Sequence, residues 1–159
     1  MDALLLEKKI RFWLLLFVAG LVVSGLTAFP LEWETSLLDR WANEPRLGIA
    51  GRFPELAGWL ARVHEGLRET YARYPFVAYG TDWLAFAHLV IAVAFLGPLR
   101  DPVRNVWVVE FGMIACGLVI PLALVAGPLR GIPWFWRVLD CSFGLLGLVP
   151  LALAYRLIR

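Results

Sequence analysis

The sequence predicts an all-α, polytopic membrane protein: a four-transmembrane-helix bundle with an extracytoplasmic amphipathic helix between helices 1 and 2. Three observations predict it. Four stretches are apolar over about 20 residues, the length an α-helix needs to cross ~30 Å of hydrocarbon. Proline and glycine fall between those stretches. The basic residues gather at one set of stretch ends. The chain of 159 residues is 60% hydrophobic and 18% charged, whereas a soluble domain is nearer one half apolar and one quarter charged, so the apolar excess has to be accommodated in blocks. At this length a single membrane domain, 1–159, is the natural reading.

The first span runs over about 10–29, after Lys8, Lys9 and Arg11. That start resembles a secretory signal, but the apolar run is longer than the ~7–15 residues of a signal core. Leu26-Thr27-Ala28 also puts a bulky residue where a cleavage site wants a small one, so a retained helix is expected. The second span runs over about 79–96, the third over 106–126 and the fourth over 133–157. Pro30, Gly97-Pro98, Asp101-Pro102, Gly127-Pro128 and Gly131-Ile132-Pro133 separate them, and each proline removes an amide donor and restricts the residue before it. Gly-Pro-Leu-Arg occurs at both 97–100 and 127–130, which reads as one turn chemistry used at two hairpins.

Orientation follows from the cations near span ends. Lys8, Lys9, Arg11, Arg100, Arg104, Arg156 and Arg159 fall on one side, expected to be cytoplasmic together with both termini. The 31–76 segment, with balanced acids and bases, is expected outside. Within it Ser36 is placed to cap a short helix through Trp41. A longer helix over 54–74 carries Leu56, Trp59, Leu60, Val63, Leu67, Tyr71 and Tyr74 at amphipathic spacing. Its other face holds Glu55, Arg62, Glu65, Arg68, Glu69 and Arg73, with Glu69–Arg73 in the favourable i, i+4 order. Such a helix either lies in the interface plane or lids the bundle.

Membrane helices associate through small residues that let backbones approach. Gly20, Ser24 and Thr27 of the first span, Gly117 of the third and Gly144 and Gly147 of the fourth are the expected contact stripes. Pro121 is a candidate kink in the third. Trp13, Trp83, Trp107, Trp134 and Trp136 sit near span ends as interfacial anchors do.

Ionisable groups inside a membrane are costly and mark sites or internal pairs. Asp82, His88, Arg137 and Asp140 form the candidate polar pocket or ion-pair network. At ~1.5 Å per residue, Asp82 and Arg137 lie about one turn inside one face, with His88 and Asp140 deeper. Arg137 and Asp140 are i, i+3 and in reach of each other. Asp82 reaches Arg137 only if the second and fourth helices adjoin. Glu110, expected to pair with Arg104 or Arg100, forms a rim at the cytoplasmic side. Buried charges that persist are paired, so an ion-pair network that fixes packing stands beside an outward pocket for a lipid headgroup, a small solute or a proton.

No catalytic residue is assigned and no cofactor or metal is expected. Haem would need His64, outside the membrane, beside His88. Cys116 and Cys141 lie in apolar blocks without ligand spacing. No Gly-rich phosphate loop, Gly-x-Ser-x-Gly or His-Glu-x-x-His occurs. The small net charge of +2 and the absence of a basic stripe argue against nucleic acid. Membrane lipids, a membrane-protein partner or a second copy are the expected partners.

The strings Tyr-Gly-Thr-Asp-Trp-Leu-Ala-Phe-Ala-His (79–88), Gly-Pro-Leu-Arg-Asp-Pro-Val-Arg-Asn-Val-Trp (97–107) and Ile-Pro-Trp-Phe-Trp-Arg-Val-Leu-Asp-Cys-Ser-Phe-Gly (132–144) resemble a family of small, uncharacterised bacterial four-helix membrane proteins. The resemblance implies a bacterial inner membrane and carries no activity. The tryptophan-rich translocator proteins have similar length but a five-helix layout and other motifs. Three functions stand open: a non-enzymatic subunit or assembly partner, a binding or transport protein with an outward pocket, and a small enzyme acting on a lipid or isoprenoid.

Overall fold

A computed structural model describes residues 3–159. The described residues form helices α1 (Ala3–Ala28), α2 (Leu31–Ala42), α3 (Ile49–Arg52), α4 (Pro54–Arg73), a 3₁₀ turn at Pro75–Val77, α5 (Ala78–Ala94), α6 (Leu96–Arg100), α7 (Val106–Leu129) and α8 (Trp134–Ile158), with no strand among them. The fold is all-α. Leu4–Ala28, Pro75–Arg100, Val106–Leu129 and Trp134–Ile158 are each long and apolar enough to cross a membrane. On α7, Ile114, Leu118, Leu122, Val125 and Leu129 form a stripe at helical spacing whose exposure runs from 61% at Leu118 to 81% at Leu129. Water does not tolerate so long an apolar stripe on a solitary chain, whereas lipid does.

The chain divides into two compact units. One holds the described residues up to Val22 together with Val90–Arg159, and the other is Val23–Leu89. In the first, Ile10, Leu14 and Phe17 of α1 pack with Phe95, with Val108 and Val109 of α7, and with Leu151 and Ala154 of α8. The Phe17 and Phe95 rings lie 4.8 Å apart, a favourable tilted aromatic contact. Gly112 of α7 leaves room for this core, since a Cβ there would meet Phe95 at 2.7 Å and Leu151 at 2.9 Å. Helices α7 and α8 are antiparallel neighbours. A Cβ at Gly144 would stand 2.5 Å from the Cys116 carbonyl oxygen, and one at Gly147 would stand 2.8 Å from the Cys116 sulfur. Gly144 and Gly147 are therefore the contact positions of the fourth span, as their small size leads one to expect.

The other expected stripes are displaced. Gly20 and Gly117 have nothing within 4 Å of where a Cβ would be, and Ser24 and Thr27 are exposed. On α7 the notches are Gly112, Gly127 and not Gly117. On α1 the notch is Gly25, which belongs to the second unit and fits against the Ala85 carbonyl oxygen, Leu89 and the His88 Cβ of α5. A glycine's identity alone does not say which side of a helix meets a neighbour.

The hairpin ends also differ from the proline-based reading. Helix α7 does not stop before Gly127-Pro128 but includes both. It ends at Leu129, and the chain reverses at Gly131, whose φ of 69° suits glycine. The Gly131 amide donates to the Pro128 carbonyl at 3.1 Å and the Ile132 amide to that of Gly127 at 2.9 Å, a Schellman cap. At 97–100 the same tetrapeptide lies inside α6. There the Asn105 side chain donates to the carbonyls of Gly97 (3.2 Å) and Asp101 (2.9 Å) and closes the turn into α7. In both places Gly-Pro-Leu-Arg is the last helical turn, and the reversal follows it.

In the second unit, α2 packs on α4. Thr35 and Ala42 of α2 and Ala57 and Leu60 of α4 are buried. Helix α2 starts at Leu31, so Ser36 is no cap. Its carbonyl accepts from Arg40 Nε at 3.3 Å. Glu32 and Glu34 in the first turn suit the positive end of the helix dipole. The Thr35 hydroxyl lies 2.9 and 3.0 Å from the Leu31 and Glu32 carbonyl oxygens, to which it donates back, which satisfies this buried hydroxyl within its own helix. Helix α4 begins with Pro54 at its first position, where a missing amide costs nothing. Its expected apolar face is buried or half-buried as far as Tyr71, and its charged face is exposed. On that face Arg68 donates to Glu65 at 2.8 Å, while Arg73 lies 5.3 Å over the Tyr74 ring.

Candidate functional site

The candidate polar residues fall on two helices. Arg137 and Asp140 are in the first turns of α8, within the first unit, and Asp82 and His88 are on α5, within the second. All four are half-buried. Although i, i+3 places Arg137 and Asp140 in reach, no ion pair joins them among the described residues. The Arg137 stem instead turns onto α7, where its Cγ and Cδ occupy the notch that Gly127 leaves open. Its Nε is buried without a hydrogen-bond partner. The physical reason is steric. A long aliphatic stem gains dispersion contact across a glycine, and following that surface draws the guanidinium away from its own helix.

His88 is tied to its own helix. Its Nδ1 stands 2.8 Å from the Leu84 carbonyl oxygen. A carbonyl can only accept, so Nδ1 carries the proton in that bond and Nε2 is the nitrogen left for other chemistry. Two turns earlier than His88, the Thr81 hydroxyl lies 3.1 Å from the Tyr71 hydroxyl and 2.6 Å from the Ala78 carbonyl oxygen. This polar link between α4 and α5 was not legible in the sequence, because Tyr71 reads there as one more apolar position.

The rim is rearranged as well. Glu110 does not pair with Arg100 or Arg104. It accepts from Arg159 at 3.3 Å, and the Arg159 guanidinium also sits 5.7 Å over the Tyr155 ring. Antiparallel α7 and α8 bring the end of one helix beside the start of the other, a pairing 49 residues apart that no local spacing reveals. The Arg104 amide donates to the Asp101 carboxylate at 2.9 Å, and the Arg100 and Arg104 side chains are exposed.

A feature missed from sequence lies at the same end of these helices. An open groove of about 610 Å³ runs between the first turns of α1 and the last turns of α8. Leu5, Phe12 and Trp13 from α1 and Leu153 and Leu157 from α8 make its walls. Lys8, Lys9 and Arg156 also line it. In the sequence these cations speak only to orientation. Their meeting on one groove depends on α1 and α8 being neighbours.

These helices define a multi-pass α-helical membrane protein. Comparison of the chain with protein families, curated proteins and solved structures gives no match, so the residues themselves carry the functional argument.

Proposed function

We propose that the chain is a non-enzymatic subunit or assembly partner of a bacterial inner membrane, with both termini and the 101–105 turn cytoplasmic and the 31–76 segment outside. The excess of Lys and Arg at the first set of span ends supports this orientation. The observation that carries the assembly reading is how little of each span the chain covers for itself. Only 22% of each apolar window is buried, which leaves broad helix faces for lipid and for a partner. Arg137 supports a structural role, because its stem fills a notch between α7 and α8. The test is native mass spectrometry of the protein released from mild detergent. A homo-oligomer or a defined complex is expected, and a folded, lone chain under all mild conditions contradicts the reading.

One observation favours a second reading, a polar site on α8. The Arg137 Nε is buried and unpartnered, and Asp140, one turn on, is not bound to it. Arg137→Met keeps the stem and deletes the charge. Under the structural reading, folding and assembly survive this change. Under the site reading, folding survives and ligand retention is lost.

A further inference from the structure

We propose that the groove between the first turns of α1 and the last turns of α8 binds one anionic phospholipid, with its phosphate held by Lys8 and Arg156 and an acyl chain laid along Phe12 and Leu153. The inference concerns a different place from the α8 polar site and does not depend on which compartment the termini face.

The lining dictates the chemistry. Among the described residues its surface is almost wholly apolar, the cations lining it with the aliphatic stems of their side chains, and no acid is part of it. A ligand therefore needs a long apolar body and a negative head. Among the described residues, Glu7 is bound to Arg11 and Glu110 to Arg159. Neither is bound to Lys8 or Arg156. Its volume of about 610 Å³ is within the ~300–1,000 Å³ typical of small-molecule sites, and it is open-sided, as lateral entry of a lipid requires.

Position agrees with chemistry. The groove uses the ends of two membrane-spanning helices, where headgroups meet the hydrocarbon. Trp13 in its wall is a residue type that favours that level. Basic pockets between transmembrane helices hold anionic headgroups by this means, the cations drawing the phosphate while the chain stays in the apolar phase. A water-soluble phosphate compound would leave the apolar walls without a partner, and a zwitterionic lipid would leave the cations without net charge to neutralise.

The full-length protein, exchanged into detergent containing equal amounts of phosphatidylglycerol and phosphatidylcholine, is examined by native mass spectrometry. One phosphatidylglycerol should be retained per chain, preferred about tenfold over phosphatidylcholine. The Lys8→Gln/Arg156→Gln double variant should lose the preference. Leu153→Trp, which fills the groove and keeps every cation, should lose the retained lipid. Arg130→Gln, outside the groove, should behave as the parent. Inorganic phosphate at millimolar concentration should not displace the lipid. Equal retention of both lipids by the unmodified chain overturns the proposal without recourse to any variant. So does full retention in either groove variant shown by circular dichroism to be folded, or displacement by inorganic phosphate.

Discussion

The α7–α8 hairpin and the α2–α4 pair are both pairs of packed helices, yet they are assembled by different rules. Between α7 and α8 the contacts are notches: Gly144 lies on the Cys116 backbone, Gly147 on the Cys116 sulfur, and Gly127 lies under the Arg137 stem. Apart from Val108, Val109 and Leu151 in the core, many of the large apolar side chains of those helices are exposed. Between α2 and α4 the order is inverted. Apolar Leu60 and Ala57 are buried with Ala42 and Thr35, while the charges point outward. The difference is one of solvent. Where lipid surrounds a helix, burying a leucine gains little, and close backbone approach supplies the contact. Where water reaches one face, burial of the apolar face does the work.

The comparison breaks most readily at Gly144. Its would-be Cβ meets a backbone oxygen, which cannot swing aside as a side chain can. Gly144→Leu is expected to destabilise the hairpin by about 3 kcal/mol, at the upper end of overpacking costs, read as a lowered melting temperature in detergent. Gly117→Leu, at an equally central but open position, should leave the melt unchanged. If the two substitutions cost the same, notch packing is not what holds α7 to α8.

The second region is sharpened by Leu60→Ala, expected to cost about 2 kcal/mol through lost burial and a residual cavity. Limited proteolysis should show it as faster cleavage within 43–53, between α2 and α4, while the α7–α8 hairpin stays protected. Loss of protection in both hairpins at once would show that the two units do not melt separately.

The smallest effect belongs to the charged face of α4. Hydrogen bonding from Arg68 holds the Glu65 carboxyl below its ordinary value. A depressed carboxyl contributes stability above its unfolded value, and that contribution is lost as pH falls through the lower, folded one. Both side chains are more than half exposed, so solvent screening leaves little to lose. Glu65→Gln should shift the pH 7 melt only marginally, and the parent and variant curves should converge as pH falls through the acid range. A large loss at pH 7 would mean that α4 is held by its charges rather than by Leu60 and its neighbours.

This contrast also explains what could be read from the sequence. The spans and the amphipathic face of α4 were legible because each rests on a periodic pattern over many residues. Gly25 and Gly127 were not, since the partner that makes a glycine into a notch lies on another helix. The Glu110–Arg159 pair and the α1–α8 groove were hidden for the same reason, being products of helix adjacency. Ser36 misled because a good capping residue was present, while α2 starts earlier, with the Glu34 amide donating to the Pro30 carbonyl and no side chain capping it. Of the candidate polar positions, the sequence located the side chains but not their direction. Arg137 turns to α7, and His88 turns to its own backbone.

Four helices crossing a membrane put the charged face of α4 and the α6–α7 turn on opposite sides. Arg62→Cys and Arg104→Cys, each in a Cys116→Ala/Cys141→Ala background, place one thiol at each of these exposed sites. Under the proposed inner-membrane orientation, an impermeant maleimide added to intact spheroplasts is expected to label Arg62→Cys at once and Arg104→Cys only after permeabilisation. Labelling of both from the same side of an intact membrane would contradict the four-span arrangement.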